Sequence, residues 1–257
     1  MPFLDHLEEL RWHIIRSGIA IILAFVLSFL SMAFIFKKII LAPITSDFIT
    51  YKLLCKVAYF LDVPEICIQN PGLKLQSRQL AGQFTMHLLL SLVGGIIIAF
   101  PYVVWEIWRF IEPGLLPNEQ RAIKGSVVSV SILFFVGILF GYFIVAPLSI
   151  QFLSNYKIDD SIENIIDITS YVSTLSLLVL SCGIIFQLPV IILFLTKLGL
   201  ISHFTLRKYR KHAIVGVFLI SAIITPSPDV LTQLLVAIPL LILYEISIII
   251  SYIQQNK

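Results

Sequence analysis

Charge is scarce in this chain. Only 13% of its 257 residues are Asp, Glu, Lys or Arg, against 58% hydrophobic. An ordinary soluble domain carries about 25% charge, so this composition excludes a freely soluble globule. A net charge of +3 is too small to suggest a nucleic-acid partner, and the basic residues sit beside apolar runs rather than in a patch of their own. Enzymatic signatures are also missing. There is no G-x-S-x-G, no H-E-x-x-H and no glycine-rich loop followed by Lys and Ser or Thr, which removes the common hydrolase, zinc-protease and phosphate-cradling chemistries. The five histidines are scattered without ligand spacing, so neither a metal nor a cofactor is expected. Cysteine is sparse too, with three in all. Cys55 and Cys67 share one polar loop and can pair if it faces an oxidising compartment, while Cys182 lies alone in an apolar run. Reading all three as small apolar fillers stays open.

What the chain does have is apolar runs of membrane-crossing length. A hydrocarbon core of ~30 Å takes about 20 helical residues. The pattern predicts one polytopic, all-α integral membrane domain over 1–257, with six spans at about 17–36, 84–108, 123–146, 171–198, 213–225 and 230–252. Loops 37–83 and 149–169 fall on one side. The first run is longer than a signal-peptide core and has no small-residue cleavage site before Lys37-Lys38, so it reads as a retained span. Ahead of it, residues 2–16 place Phe3, Leu7, Leu10 and Ile14 at helical spacing, an amphipathic helix for the membrane surface. A second surface helix is expected over 51–61, and a turn at Asn70-Pro71-Gly72. The fifth run would cover only about 20 Å, and the last two spans read as a short hairpin.

Eleven of the eighteen lysines and arginines fall on the side holding both termini, which predicts cytoplasmic termini. Both outward-running long spans end in a similar phrase, "LAPIT" (41–45) and "VAPLS" (145–149). Each inward-running span carries a proline: Pro101, Pro189 and Pro239. Proline kinks a helix, so three kinks of one sense suggest a concave wall; shaping of packing alone is the other reading.

Polar residues at membrane depth are costly and often functional. Gln187, in "FQLPV", lies deep in the fourth span. Glu106 and Glu245 lie nearer the cytoplasmic boundary, where pairing with Arg109 or reaching the interface is the simpler reading. His87 is expected to be a hydrogen-bonded interface residue. At the cytoplasmic rim stand Glu8 and Glu9, and then Glu112 and Glu119 within "FIEPGLLPNEQR" (110–121). A partly shielded carboxylate receives a guanidinium well, in bidentate fashion. Glu119 is equally suited to cap the third span.

"HLEELR" (6–11), "FIEPGL" (110–115) with "NEQR" (118–121), "FQLPV" (186–190) and "TPSPDVLTQLLVAIPLLILYEI" (225–246) resemble the motifs of the TatC family, the polytopic subunit of the twin-arginine protein translocase. The resemblance covers nearly the whole chain, and loop 44–80 is its least familiar part. It implies a core receptor in the bacterial cytoplasmic (inner) membrane, working in an oligomeric complex that exports folded proteins with the proton gradient. Glu9 and Glu119 would then receive the twin-arginine motif of a signal peptide. Phe110, Pro113 and Leu115 would shape that site, with Arg11 and Arg121 closing the flanking motifs. Gln187, Pro189, Asp229 and Glu245 would contribute to docking single-span subunits of the TatA/TatB type. Many relatives have glutamate where Gln187 stands, and an amide carries no titrating proton. Two other classes compete: a secondary transporter for a small solute, favoured by kinked helices and a midplane glutamine, and a membrane-embedded enzyme. A transporter would enclose its site at the midplane between matched repeats, and an enzyme would need a catalytic constellation.

Overall fold

The computed structural model describes residues 3–45, 47–60, 74–114, 125–157, 159, 164–197, 199, 201–225 and 230–255. Helix α1, Phe3–Leu30, is a single 28-residue helix about 42 Å long. This corrects the expectation of a separate surface helix before the first span. No proline interrupts the stretch, and an unbroken helix keeps every backbone group paired on entering lipid. A short helix α2, Met32–Ile35, and a π-turn, Phe36–Ile40, carry the chain to Pro43. The expected loop helix is α3, Ile49–Phe60. Strand β1, Lys74–Gln76, precedes α4, Gly82–Ile111, which runs through Pro101.

Helix α5, Ser126–Phe140, begins after Gly125, whose φ of 91° suits a residue without Cβ. Through a π-turn, Gly141–Val145, it continues as α6, Ala146–Asn155. The third span therefore does not end at Pro147, and the first part of loop 149–169 is helical. After β2, Ile165–Asp167, come α7, Ile168–Ile185, and α8, Leu188–Lys197, separated at Phe186-Gln187. The chain finishes with α9, His203–Lys208, α10, Arg210–Ile224, and α11, Val230–Gln255, which runs through Pro239.

Among the described residues, five helical stretches are long and apolar enough to cross a membrane: Glu8–Leu30, Gly82–Gly114, Val127–Asn155, Ile168–Thr196 and Thr232–Ile253. Helix α10, with 15 residues, falls short of that length. Its partner α11 has 26 residues, so only one helix of the final pair is short.

The fold is also not wholly helical. β1 and β2 pair in parallel, with Lys74 opposite Ile165 and Gln76 opposite Asp167. Strands of three residues carry no readable periodicity, and their pairing is set by distant parts of the chain. Asp167 ends this pair and caps α7. Its carboxylate accepts from the Thr169 hydroxyl, from Thr169 N at 2.7 Å and from Arg78 N at 3.1 Å. These bonds, those from Thr169 foremost, hold the carboxyl below the usual range.

The two proline phrases meet in one hub. Proline has no N–H and crowds the carbonyl four residues back. For Pro147 that carbonyl is Phe143, which instead accepts the Thr50 hydroxyl. For Pro43 it is Ile39, which accepts the Tyr142 hydroxyl at 2.7 Å, and Ile40 beside it accepts Tyr171 at 2.6 Å. Tyr51, buried beneath both phrases, donates to Pro43 O at 2.8 Å. Burial pushes its hydroxyl pKa up to about 12, so it stays a donor. Tyr51→Phe leaves that carbonyl without its donor and is expected to cost about 1–3 kcal/mol, read as a lower thermal midpoint in detergent.

Glycines let helices approach closely. A Cβ on Gly137 would lie 2.7 Å from Cys182 O on α7, and one on Gly95 would lie 2.8 Å from Phe25 N on α1. Cys182 is a free, buried thiol in that contact, while Cys55 is disulfide-bonded; Cys67 lies outside the described residues. Between α1, α4, α5 and α7 lies an open, mostly apolar cavity of about 710 Å³, with Ser28, Gly94, Tyr142 and Leu175 in its wall.

Candidate functional site

Helices α1 and α4 lie side by side and run in opposite directions. Near one end of the pair His87 stacks on Phe29, with ring centroids 4.0 Å apart, and its Nε2 meets Phe29 O at 3.1 Å. His87 is the hydrogen-bonded interface residue expected. Gly95 meets Phe25 midway. Towards the other end His13 Nδ1 meets Glu106 Oε2 at 2.5 Å. Carried one more turn, this register brings Glu9 level with Phe110.

Glu106 is only 1% exposed and also accepts from Tyr102 OH at 2.8 Å. It is not paired with Arg109, whose guanidinium instead lies 4.8 Å from the centre of the Trp105 ring. The residues missed by sequence reasoning are therefore His13 and Tyr102. Their signal was present: Tyr102, Glu106 and Phe110 recur every four residues on one helical face, as do Glu9 and His13. The edge of the Phe110–His13 contact closes this cluster, with centroids 6.1 Å apart.

Of the expected rim residues, Glu9 is half-buried on α1 and Arg11 is exposed. Phe110 sits in the last turn of α4, and Pro113 lies in the short 3-10 turn Glu112–Gly114 that follows. Leu115, Glu119 and Arg121 lie outside the described residues. The N-cap position of α5 is Gly125, which offers no side-chain cap.

The intramembrane residues form a second locality. Gln187 stands in the break between α7 and α8, ahead of buried Pro189. Its Nε2 reaches Gly183 O at a long 3.4 Å, whereas its Oε1 is buried with no partner among the described residues. An unpaired buried acceptor is costly, the more so where no water replaces it. Glu245 pairs with Arg210 across α11 and α10, and not with Arg109. Asp229 lies outside the described residues. No group of three or more His, Cys, Asp or Glu among the described residues is placed to hold a metal ion.

Comparison with known proteins places the chain in a family. The family described as Sec-independent protein translocase protein (TatC) matches residues 5–239. The chain belongs to the TatC family. The TatC protein of Blattabacterium sp. subsp. Periplaneta americana is 39% identical over 259 residues, covering 100% of this chain and 97% of that one. Those of Carboxydothermus hydrogenoformans and Aquifex aeolicus are 37% and 34% identical, again over 100% of this chain and over 95% and 97% of theirs. Two crystal structures of the twin-arginine translocase receptor TatC, one in DDM, match at TM-scores of 0.70 and 0.75. They are 33% and 34% identical, covering 96% of this chain and 98% and 99% of those chains. As a TatC protein the chain is a core subunit of the twin-arginine translocase, a multi-pass membrane protein with a transport role rather than a catalytic one.

Proposed function

We propose that this TatC protein receives twin-arginine signal peptides at the end where α4 finishes, using Glu9 and Glu119, with Phe110, Pro113 and Leu115 shaping the site and Arg11 and Arg121 beside it. The observation that supports this reading is the α1–α4 register fixed by His13 against Glu106 and Phe110; one helical turn before His13, half-buried Glu9 would come level with Phe110, the first residue of "FIEPGLLPNEQR". A carboxylate shielded on one side by Phe110 and the helix pair binds a guanidinium more strongly than one in open water. The apolar part of the peptide would lie against the concave side of the helices. The affinity of a twin-arginine signal peptide for Glu9→Gln and Glu119→Gln variants tests the reading: both should bind it more weakly than the parent.

The same proposal includes six spans, with short α10 as the fifth, and both termini in the cytoplasm of an inner-membrane protein. The lysine and arginine asymmetry supports that orientation, and so does disulfide-bonded Cys55, since such bonds persist in oxidising compartments. Maleimide labelling of single cysteines in intact cells should mark Lys52→Cys from outside and Lys208→Cys only after permeabilisation. External labelling at 208 would overturn the six-span topology.

Gln187 is proposed to dock a single-span TatA/TatB-type subunit, with Pro189, Asp229 and Glu245 in its surroundings, in an oligomeric complex energised by the proton gradient. Support comes from its unpaired Oε1, which calls for a donor from outside the described residues. Gln187→Leu should reduce copurified single-span subunit severalfold, and Gln187→Glu should retain it. Equal recovery with both variants would make Gln187 a residue of internal packing.

A further inference from the structure

We infer that His13 and Glu106 are positioning residues for signal-peptide recognition: their buried contact locks α1 to α4 and holds Glu9 at the level of Phe110. The inference rests on the receptor reading above and extends it to two residues outside the motifs that carry it. A carboxylate that is 1% exposed at membrane depth is expensive unless fully bonded, and Glu106 is bonded on both oxygens, by His13 at 2.5 Å and by Tyr102 at 2.8 Å. Packing alone does not need it. An apolar side chain there would seal the α1–α4 interface at lower cost.

What the polar contact adds is register. Two helices joined mainly by apolar surface can slide or rotate past each other, whereas one directional bond in a low-dielectric setting selects a single arrangement. The bond also sits where register matters. Glu9 precedes His13 by four residues and Phe110 follows Glu106 by four, so one turn of each helix, about 6 Å, separates the lock from the recognition pair. His13 touches both levels, since its ring also meets Phe110 edge-on at 6.1 Å. Arg109, next to Phe110 in the chain, lies over Trp105 and is not the partner of Glu106. A small rotation of α1 would swing Glu9 off the path of the incoming arginines without changing a single residue that touches them.

The test uses the full chain in nanodiscs and a fluorescent twin-arginine signal peptide with its twin-lysine counterpart. Three variants are compared for thermal midpoint, affinity and arginine preference: His13→Phe with Glu106→Leu, Glu106→Leu alone, and Glu106→Gln. The double variant removes both bonding partners and leaves an apolar, well-filled contact, so its midpoint should match or exceed the parent's. Its affinity for the arginine peptide should nevertheless fall about tenfold, and its preference for arginine over lysine should shrink with it. Glu106→Gln keeps an acceptor for Tyr102 and a hydrogen bond to His13, and should restore both quantities to within about twofold. A stable double variant with parental affinity and preference would overturn the inference. Loss in Glu106→Gln equal to that in Glu106→Leu would also overturn it, because charge rather than register would then be the cause. The receptor reading is judged separately, by Glu9→Gln in the same assay. If Glu9→Gln binds like the parent, that reading fails first; if it binds weakly and the double variant does not, only the positioning role is lost.

Discussion

Replacing Glu9 and Glu119 together with glutamine is expected to abolish the preference of the chain for arginine over lysine in a signal peptide. On the proposed receptor reading, each carboxylate would make a charge-assisted contact of about 1.5–3 kcal/mol with a peptide arginine. At about 1.4 kcal/mol per tenfold, a single Glu→Gln change should weaken binding roughly ten- to a hundredfold. The double change should reduce it to the level set by the apolar segment of the peptide. Glu119→Asp should lose less than Glu119→Gln, since it retains the charge. Isothermal binding of arginine and lysine peptides to the same purified variants measures this, with thermal midpoints recorded alongside. A purely structural role for Glu119 would lower the midpoint and leave the arginine preference intact. An undiminished arginine preference in the double variant would remove the site from this loop altogether.

Gly137→Ala is expected to destabilise the chain although alanine is the better helix former. The new methyl would sit 2.7 Å from Cys182 O and 2.9 Å from Gly183 Cα, and both are backbone atoms that cannot turn aside. Separating α5 from α7 also loosens Phe134, buried against Gly183 on one side and stacked on Phe100 at 3.5 Å on the other. Overpacking of this kind costs about 1–3 kcal/mol, and Gly137→Val, with two further methyls, should exceed that and lower the folded yield. Gly18 and Gly216 serve as controls, because nothing lies within 4 Å of a Cβ placed there. Gly18→Ala and Gly216→Ala should be neutral or stabilising by up to about 1 kcal/mol, from helix propensity alone. Thermal unfolding of the four alanine and valine variants in one detergent decides it. Equal midpoints for Gly137→Ala and Gly18→Ala would mean that the α5–α7 contact does not control stability.

The two expectations differ in how they were reached. Glu9 and Glu119 stand out in the sequence because carboxylates are rare in a chain with 13% charged residues. Gly137 stands in a G-x-x-x-G run with Gly141, a small-residue spacing that favours close helix contact in membranes, but twelve glycines leave the choice of partner undecided. Only the structure pairs it with Gly183 and Cys182.

Much of the architecture was determined by the sequence alone. Apolar runs near 20 residues have one stable solution in lipid, a helix with all of its backbone bonds internal, so the helices expected at 171–198, 213–225 and 230–252 lie within a few residues of those observed. Ends were harder. Pro147 reads as a stop, yet the helix passes it, because a π-turn before it and the Thr50 hydroxyl from another segment satisfy the carbonyl that proline displaces. The β1–β2 pair and the bonds around Tyr51 from Thr50 to Phe143 and from Tyr142 to Ile39 join residues about a hundred positions apart and leave no local period to read. The same holds for the candidate site. Glu9 and Phe110 are legible as motifs, but Glu106 suggested a partner three residues away in Arg109 and found one on another helix in His13. Local spacing decides which side chains share a face. Which of two nearby polar groups is bonded is decided by burial, since in a low-dielectric contact the partner that arrives from the facing helix excludes water from the bond and the neighbour on its own helix does not.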